Sequence, residues 1–315
     1  MKLRTELPLP KLNSALDLFG GMVFLGSCFS DNIGGRLSSL GLPVLVNPFG
    51  VIFHPKPLFR ILNQTLDSEF TYSENHIVEH QGVFHSLNHH GTFKSSDKLK
   101  LVDELNAVLA LQRETLAQSK TLFLTLGTAW GYKLNNGIVA NCHKLPNHLF
   151  KKELSGYTEV NQDLTHLLKK LALKLPDLRV ILTVSPVRHI KNGLVENSRS
   201  KSILHAALHE AASTSNNAQY FPSFELMMDD LRDYRFYKKD LIHPSDMAID
   251  YIFNYMAESL FSESDGLILK ELERFKSLLS HRPLNPESDA TLALKEKVEG
   301  MKAELQRKYP KLVLS

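Results

Sequence analysis

Cysteine is scarce in this sequence of 315 residues, since only Cys28 and Cys142 are present. Two cysteines do not make the disulfide framework of a small secreted domain, and a single bridge would add little to a large core. The 43% of hydrophobic residues can build such a core in one large domain or two small ones. We therefore expect a reduced, cytoplasmic protein.

The sequence also has no large excess of one charge and no long apolar run. The formal net charge is +3, and the lysines and arginines are dispersed, which argues against a nucleic-acid partner. No apolar run approaches the roughly 20 residues that cross a bilayer, so we expect no membrane span. The segment 1–21 has basic residues and two prolines but no compact apolar stretch, which argues against a secretory signal.

Five short apolar runs recur along the chain without polar alternation. Such runs are typical of strands that are buried on both faces of a parallel sheet. The predicted strands are MVFL (22–25), PVLV (43–46), TLFLTLG (121–127), RVILTVSP (179–186) and AQYFPS (218–223).

Apolar stripes with helical spacing occur between and after these runs. They cover 29–40, closed by Gly41 and Pro43, then 160–175, 203–211, and 249–260, which Ser245 begins as a predicted N-cap. Strands that alternate with helices form βαβ units. We predict an α/β fold, a three-layer α/β/α sandwich around a mostly parallel five-stranded sheet.

Two regions break this alternation. Residues from about 52 to 118 insert a proline-rich turn, a histidine-rich loop and a long helix between the second and third strands. From Phe261 onward the chain is charged and helical, with the interruption HRPLNPES at 281–288. We predict a domain over 1–261 that carries the insertion, and a helical extension over 262–315. The extension would pack on the domain or on a partner, which leaves room for a homo-oligomer.

We expect the functional residues at the carboxyl ends of the strands, where open parallel sheets bind ligands. Ser27 and Cys28 follow the first strand, and Asp240 precedes His243 by three residues in KKDLIHPSD. A turn with this spacing lets the carboxylate accept Nδ1–H, which leaves Nε2 free as a general base. The same spacing also occurs in an ordinary turn before a Ser-capped helix, and that alternative stays open.

Ser27 and Cys28 are adjacent candidate nucleophiles with different local roles. Ser27 stands at the predicted N-cap of the first helix, where its hydroxyl accepts a backbone N–H. Cys28 then takes the first helical position, where the positive end of the helix dipole lowers the pKa of a thiol. We expect Cys28 to be the better nucleophile, and the alternative for Cys28 is a small buried apolar side chain.

Two loops are rich in histidine and cysteine, HSLNHHGTF (85–93) and NCHK (141–144). The candidate zinc ligands in them are His85, His89, His90, Cys142 and His143. We recognise no Cys-x-x-Cys and no helical His-x-x-x-His pair, so metal binding is the weaker hypothesis. We expect these loops to supply hydrogen-bond donors to a pocket, and we predict no cofactor.

Nine blocks of the sequence together resemble the GSCFA family, in order, over roughly residues 20 to 290. They are GSCFSDNIGGRL, NPFGVIFHP, HSLNHHGTF, LTLGTAWGY, VANCHKLP, SPVRH, NSRSK, YFPSFELMMDDLRDYRFYKKDLIHPS and RPLNPES. Ser30 stands where the family's name has Ala. The family looks like a bacterial branch of the SGNH (GDSL-type) hydrolase superfamily. The resemblance implies a flavodoxin-like α/β/α fold and a Ser-dependent esterase, deacetylase or lipase-like ancestry.

The resemblance carries over to the first and last motifs position by position. FLGSCF puts Gly26 on the superfamily's Gly, Ser27 on its Asp and Cys28 on its nucleophilic Ser. Asp240 and His243 match the final Asp-x-x-His block. The nucleophile position therefore carries Cys, so either a thiolate attacks or Ser27 has taken over.

The block that supplies an oxyanion donor departs from the superfamily's Gly-x-Asn. It reads Gly127, Thr128 and Ala129 here, so the Asn is missing. We expect Asn141, in the following loop, to replace it. The backbone N–H groups of Cys28 and of a neighbouring glycine, Gly127, are the other candidate donors.

Our hypothesis is a hydrolase of an acyl ester or thioester, such as a carbohydrate O-deacetylase, or an acyltransferase. Cys28 attacks, His243 is the base and Asp240 orients the base. The predicted pocket residues are His89, His90, His143 and Arg188. Arg188 would hold an anionic or carbohydrate-linked substrate, or alternatively pair with an acid of MMDDLRD (227–233).

Two other hypotheses stay open. The substituted first block and the missing Asn also fit a degenerate hydrolase fold that serves as a binding module. A metal site built from Cys28, Cys142, His143 and His243 is the other. A catalytic Cys28 has to lie in an open cleft near His243, whereas a relic has no need to.

Overall fold

The computed structural model describes residues 4–9, 15–135, 137–280 and 289–314. The predicted interruption HRPLNPES and parts of the N-terminal segment lie outside these ranges. The strands are β1 (Met22–Gly26), β2 (Val44–Val46), β3 (Val78–His80), β4 (Val83–His85), β5 (Lys94–Ser95), β6 (Thr121–Leu126), β7 (Trp130–Leu134), β8 (Gly137–Val139), β9 (Lys151–Leu154), β10 (Arg179–Val184) and β11 (Ala218–Tyr220).

Helices follow or precede most of these strands. The α-helices are α1 (Cys28–Ser39), α2 (Pro55–Thr65), α3 (Lys98–Gln118), α4 (Tyr157–Lys174), α5 (Leu194–Ser213), α6 (Ser223–Glu225), α7 (Asp246–Leu260), α8 (Glu263–Ser280) and α9 (Asp289–Lys308). Short 3₁₀ helices cover Glu74–His76, Asn147–Leu149, Ile190–Asn192 and Tyr234–Phe236, and a π-helix covers Leu226–Leu231.

The central sheet has five parallel strands in the order β11-β10-β6-β1-β2. This is the flavodoxin-like order, in which the direction of winding reverses between β1 and β6. All five predicted strands are present, so the predicted α/β/α sandwich is confirmed. Because ligands bind where the strand order reverses, the ends of β1 and β6 are the place to look for a site.

The sheet is buried on both faces, as its unbroken apolar runs predict. Val23 and Leu25 of β1 pack with helices α2 to α5 in one core cluster. Met22 and Phe24 point to the opposite face and pack with α1, α7, α8 and α9. Successive residues of a strand point to opposite faces, so this short run supports both outer layers of the sandwich.

The insertion and the following loop contain small antiparallel sheets. The strands β3, β4 and β5 form one sheet between α2 and α3, and β8, β7 and β9 form another after β6. The predicted proline-rich turn opens α2, with His54 as its N-cap and Pro55 as its first residue. The second sheet was not predicted from the sequence, because its strands are short and mostly half-buried.

The C-terminal helices pack on the same core as α1 and α7. Leu269, Leu272 and Phe275 of α8, with Val298 and Leu305 of α9, are buried in that cluster. Within the described residues, no helix has the length and apolarity to span a membrane.

Candidate active site

The turn from β1 into α1 requires a glycine. Gly26 has φ +133°, and a Cβ there would lie 2.1 Å from the carbonyl oxygen of Thr125. Its N–H donates to Oδ1 of Asn47 at 2.8 Å, and the amide of Asn47 donates to Asp31 at 2.6 Å. Asn47 thus ties the turn to the first helix, and the sequence did not single it out.

Ser27 caps α1, as predicted. Its hydroxyl accepts the N–H of Phe29 at 3.2 Å and donates to Oγ of Ser185 at 2.9 Å. The residue is only 1% exposed. The Ser27 hydroxyl is therefore enclosed and holds two partners, one in α1 and one after β10.

Cys28 is a free, half-buried cysteine at the first position of α1. Apart from its own N–H, no donor of the described residues reaches its sulfur. Burial raises the pKa of its thiol, and so does Asp31, while its own N–H, Lys201 and Lys238 lower that pKa. The predicted fall in the pKa is wrong, because desolvation outweighs the helix end.

Asp240 and His243 form the pair that their spacing predicts. Oδ2 of Asp240 accepts Nδ1–H of His243 at 2.7 Å, and Oδ1 accepts the N–H groups of Ile242 and His243 at 2.9 and 3.0 Å. These hydrogen bonds, the His243 side chain first, lower the pKa of Asp240 to about 2. The His243 side chain is 39% exposed, and its Nε2 has no partner among the described residues.

Arg188 joins this loop to the end of β10. Its N–H donates to the carbonyl of Ile242 at 3.2 Å, and Nη1 donates to that of Leu241 at 3.3 Å. Its guanidinium lies 4.7 Å from the ring centre of Tyr237. Across the described residues Arg188 takes part in no ion pair, so the alternative of pairing with MMDDLRD is not observed. It lines a cavity of about 400 Å³ that Tyr237 shares.

A buried lysine, Lys201, lies beneath this site. It is 2% exposed, and its Nζ donates to the carbonyl of Ser185 at 2.6 Å. Burial lowers its pKa to about 7, and the neighbouring Cys28 opposes that fall. A signal was present in the sequence, since Lys201 lies three and seven residues before the buried Leu204 and Leu208, on the same face of α5.

His189 and Gly127 are neighbours where the winding of the sheet reverses. A Cβ on Gly127 would lie 2.9 Å from Nε2 of His189, a buried nitrogen without a hydrogen-bond partner. Burial lowers the pKa of His189 to about 3, with smaller effects from Lys201 and His243. The N–H of Gly127 donates to the carbonyl of Phe53 at 2.7 Å, so this predicted oxyanion donor is already engaged.

The predicted donors of the histidine-rich loops mostly bond to one another. Oδ1 of Asn141 accepts the N–H of His143 at 2.8 Å, and Nε2 of His143 lies 2.8 Å from the carbonyl of Ser86, to which it donates. Burial lowers the pKa of the His143 imidazole. Asn141 is half-buried, and a Cβ on Gly91 would lie 3.2 Å from its amide nitrogen.

His89 and His90 have different surroundings. His89 is fully buried, with its ring nitrogens 2.7 Å from Oγ of Ser86 and 3.0 Å from the hydroxyl of Tyr72. Both of its nitrogens are therefore engaged inside the insertion. His90 is half-buried and lies near α1, where its charge lowers the pKa of Asp31 against the larger, opposite effect of burial.

The proposed metal ligands Cys28, Cys142, His143 and His243 do not form a cluster. Within the described residues, the one group of His, Cys, Asp or Glu atoms close enough to share an ion is His205, His209 and Glu225. His205 and His209 are a helical His-x-x-x-His pair on α5. The expectation that the chain lacks such a pair is therefore wrong.

Comparisons with known proteins identify the family. The GSCFA family model matches residues 21–255. A search of the curated proteins finds no match. Among solved structures, the chain is similar to a carbohydrate esterase of family 3 from Talaromyces cellulolyticus, with 9% identity, a TM-score of 0.33, and coverage of 80% of this chain and 99% of that one.

A second solved structure is similar at the same level. It is an acetyl xylan esterase from the rumen bacterium Butyrivibrio proteoclasticus, with 9% identity and a TM-score of 0.37. The match covers 78% of this chain and 65% of the length of that protein. TM-scores this low carry no argument about what the chain does, so the site has to be judged on its own chemistry.

Proposed function

The chain belongs to the GSCFA family, and from that premise we propose that it hydrolyses an acyl ester or thioester. In this proposal Cys28 is the nucleophile, His243 the general base and Asp240 the residue that orients the base. The observation that carries the proposal is the hydrogen bond of 2.7 Å from His243 to Asp240. It fixes the tautomer in which Nε2 is free to accept a proton.

The choice of Cys28 over Ser27 rests on access. The Ser27 hydroxyl is buried and already has two partners, and an attack by it would break the cap of α1. Cys28 is half-buried, and its sulfur has no donor other than its own N–H among the described residues. The thiol is therefore the more available of the two nucleophiles.

The position of the base relative to the thiol is supported by electrostatic contacts. Lys238, whose N–H donates to the carbonyl of His243 at 2.8 Å, also acts on the thiol of Cys28. This effect supports our proposal that the loop of the base lies near the nucleophile. Since the pKa of Cys28 is raised, the thiol is protonated at neutral pH and needs a base to react.

The proposed reaction has two steps. Nε2 of His243 takes the thiol proton as the sulfur of Cys28 bonds to the acyl carbon, and the carbonyl electrons move onto oxygen. The N–H of Cys28, at the start of α1, would stabilise this oxyanion. The bond to the leaving oxygen or sulfur then breaks, and the leaving atom takes the proton from His243.

Hydrolysis of the thioester completes the cycle. A water molecule loses a proton to Nε2 of His243 and attacks the acyl carbon of the Cys28 thioester. The carbon–sulfur bond breaks, the sulfur recovers the proton and the carboxylic acid leaves. If an alcohol attacks instead of water, the same steps give acyl transfer.

We propose the substrate class from the cavity that Arg188 lines. Asp229 and Asp233 line it too, whereas Cys28, Asp240 and His243 do not. Arg188 presents a cation there without an ion-pair partner among the described residues, and Tyr237 supplies an aromatic face. We propose a small acyl ester, carbohydrate esters included, whose non-acyl part carries an anionic or hydrogen-bond-accepting group. An arginine binds such groups with several donors at once.

A non-catalytic binding module is the second candidate. It is favoured by the raised pKa of Cys28 and by the absence, within the described residues, of a hydrogen bond between its sulfur and His243. Catalytic hydrogen bonds are often longer in a protein without substrate and shorten in the complex. A direct activity measurement therefore separates the two candidates.

The test compares single variants on a small activated ester and on a thioester. We expect Cys28→Ala to abolish turnover and Cys142→Ala, the matched control at the other free cysteine, to preserve it. Ser27→Ala should lower stability by about 0.5–2 kcal/mol through loss of the cap while turnover persists. If Ser27→Ala alone abolishes turnover, serine is the nucleophile. If the wild type turns over neither substrate, the hydrolase proposal fails and the binding module is favoured.

A further inference from the structure

Three side chains with metal-binding chemistry lie outside the site described above. His205 and His209 are four residues apart on α5 and so share one face of the helix. Glu225, in α6, faces them across the connection that follows β11. One ligand atom from each of the three residues lies within 4.8 Å of the other two. We propose that this triad binds a divalent transition-metal ion, with zinc as its probe.

The three candidate ligand atoms can reach coordinating distances if their side chains move slightly closer together. Zinc bonds of about 2.0–2.2 Å to nitrogen and oxygen in a tetrahedron place the ligand atoms roughly 3.4 Å apart. The triad therefore has to close by on the order of 1 Å, which side-chain rotation provides. Two imidazoles and one carboxylate leave the fourth position for water. This nitrogen-containing donor set favours zinc and its neighbours over magnesium or calcium.

A second observation points to a missing ligand. Nε2 of His205 is buried and has no hydrogen-bond partner. A buried polar atom without a partner is costly in a folded protein. Nδ1 of the same ring lies 3.5 Å from Oε1 of Glu225 and 3.2 Å from the hydroxyl of Tyr220. A metal ion would therefore give Nε2 the partner that it lacks only by binding at Nε2 itself.

The surroundings of Glu225 resemble the outer shell of a metal site. The hydroxyl of Tyr220 lies 2.9 Å from both carboxylate oxygens and donates to the group. Such a donor orients a metal-binding carboxylate. The side chains of Glu225 and His205 are 27% and 21% exposed, and His209 is exposed. An ion therefore has a path from solvent to all three ligands.

The bound ion would connect α5 to the segment that begins at the end of β11. These elements also carry Lys201, one turn before His205. The triad does not include Cys28, Asp240 or His243, so metal binding and ester hydrolysis can be tested independently. The proposal holds whether or not the chain is a hydrolase.

The experiment titrates the metal-stripped full-length protein with Zn²⁺ by calorimetry, and with Co²⁺ by visible absorption. We expect one ion per chain, intense Co²⁺ bands typical of tetrahedral coordination, and a thermal unfolding midpoint that rises with Zn²⁺ concentration. His209→Ala should remove at least a factor of ten in affinity. His166→Ala is the matched control, because it removes an exposed histidine from another helix, and it should change nothing.

Three results would contradict the proposal. One is the absence of stoichiometric binding in the wild type, together with featureless Co²⁺ spectra, which needs no variant at all. The second is unchanged Zn²⁺ affinity in both His209→Ala and Glu225→Gln. His209 is exposed, so its variant should fold, and circular dichroism checks this. Equal loss in His166→Ala would also count against the triad, because it would indicate nonspecific binding to surface histidines.

Discussion

The ammonium group of Lys201 donates a hydrogen bond of 2.6 Å to the backbone carbonyl of Ser185. The hydroxyl of Ser185 in turn accepts the hydroxyl of Ser27, the N-cap of α1. A single buried cation is thus connected through the end of β10 to the residue that precedes Cys28. Lys201 therefore acts on the start of α1 through Ser185 and Ser27 rather than by direct contact.

The buried Lys201 predicts a dependence of stability on pH. Its pKa is about 7 in the folded protein and near its ordinary, higher value when unfolded, so between pH 7 and about 10.5 the unfolded chain binds more protons. Stability should therefore rise across that window, by up to about 1.4 kcal/mol per pH unit. Urea unfolding at several pH values measures the slope.

The matched variants are Lys201→Met and Lys174→Met. Lys201→Met should abolish the rise of stability with pH. Lys174→Met changes an exposed lysine of α4, so this variant should show the same rise as the wild type. An identical slope in Lys201→Met and the wild type would show that Lys201 titrates alike in both states. Lys201→Met also leaves the Ser185 carbonyl without its partner, which costs about 1–3 kcal/mol at neutral pH.

The raised pKa of Cys28 predicts slow alkylation at neutral pH. In a Cys142→Ser background, iodoacetamide should modify Cys28 more slowly than a free thiol, because only the thiolate reacts. The rate should climb as the pH passes the ordinary thiol pKa. Lys201→Met should slow the reaction further, since a positive charge that lowers the pKa of Cys28 is removed. Fast alkylation that is independent of pH would indicate a stable thiolate and contradict the raised pKa.

Asp240→Asn should reduce turnover without unfolding the protein. The amide cannot accept two backbone N–H groups and Nδ1–H as a carboxylate does, so the tautomer of His243 is no longer fixed. We expect a loss of about 10²–10⁴ in kcat. Asp177→Asn, at an exposed ion pair with Lys120, is the control and should be neutral. Full activity of Asp240→Asn would remove Asp240 from the proposed mechanism.

Gly26→Ala should strongly destabilise the fold. The added Cβ would meet the Thr125 carbonyl at 2.1 Å in a conformation with φ +133°. Gly193 also has a positive φ, but a Cβ there meets no atom within 4 Å. Gly193→Ala should therefore cost only about 1–3 kcal/mol of backbone strain, and Gly26→Ala clearly more. Equal midpoints in thermal unfolding would show that the turn relaxes.

The elements of the fold were predictable because their signals are local. The buried apolar runs predict β1, β6 and β10. The stripes with helical spacing predict α1 and α7, with the N-caps Ser27 and Ser245. The sheet β8-β7-β9 has no such signal, since its short strands depend on contacts with the rest of the domain. The Asp240–His243 turn was predictable for the same reason as a helix cap, because its partners are three residues apart.

The chemistry of the site depended on contacts between distant residues. Asn47 and Lys201 reach the turn at Cys28 from distant parts of the chain, and His189 reaches Gly127, so their roles are not visible in any short segment. The helical pair His205 and His209 could have been read from spacing, but its third partner, Glu225, comes from another element.

The sequence by itself determined the layered α/β/α architecture and the candidate residues at the strand ends, since periodicity, caps and turns act over a few residues. Only the tertiary structure decided which of those groups are enclosed and which remain available. Ser27 is enclosed and hydrogen-bonded to Ser185, burial raises the pKa of the Cys28 thiol, and burial lowers the pKa of Lys201 to about 7. The physical reason is desolvation, which depends on how segments far apart in the chain pack around a charge.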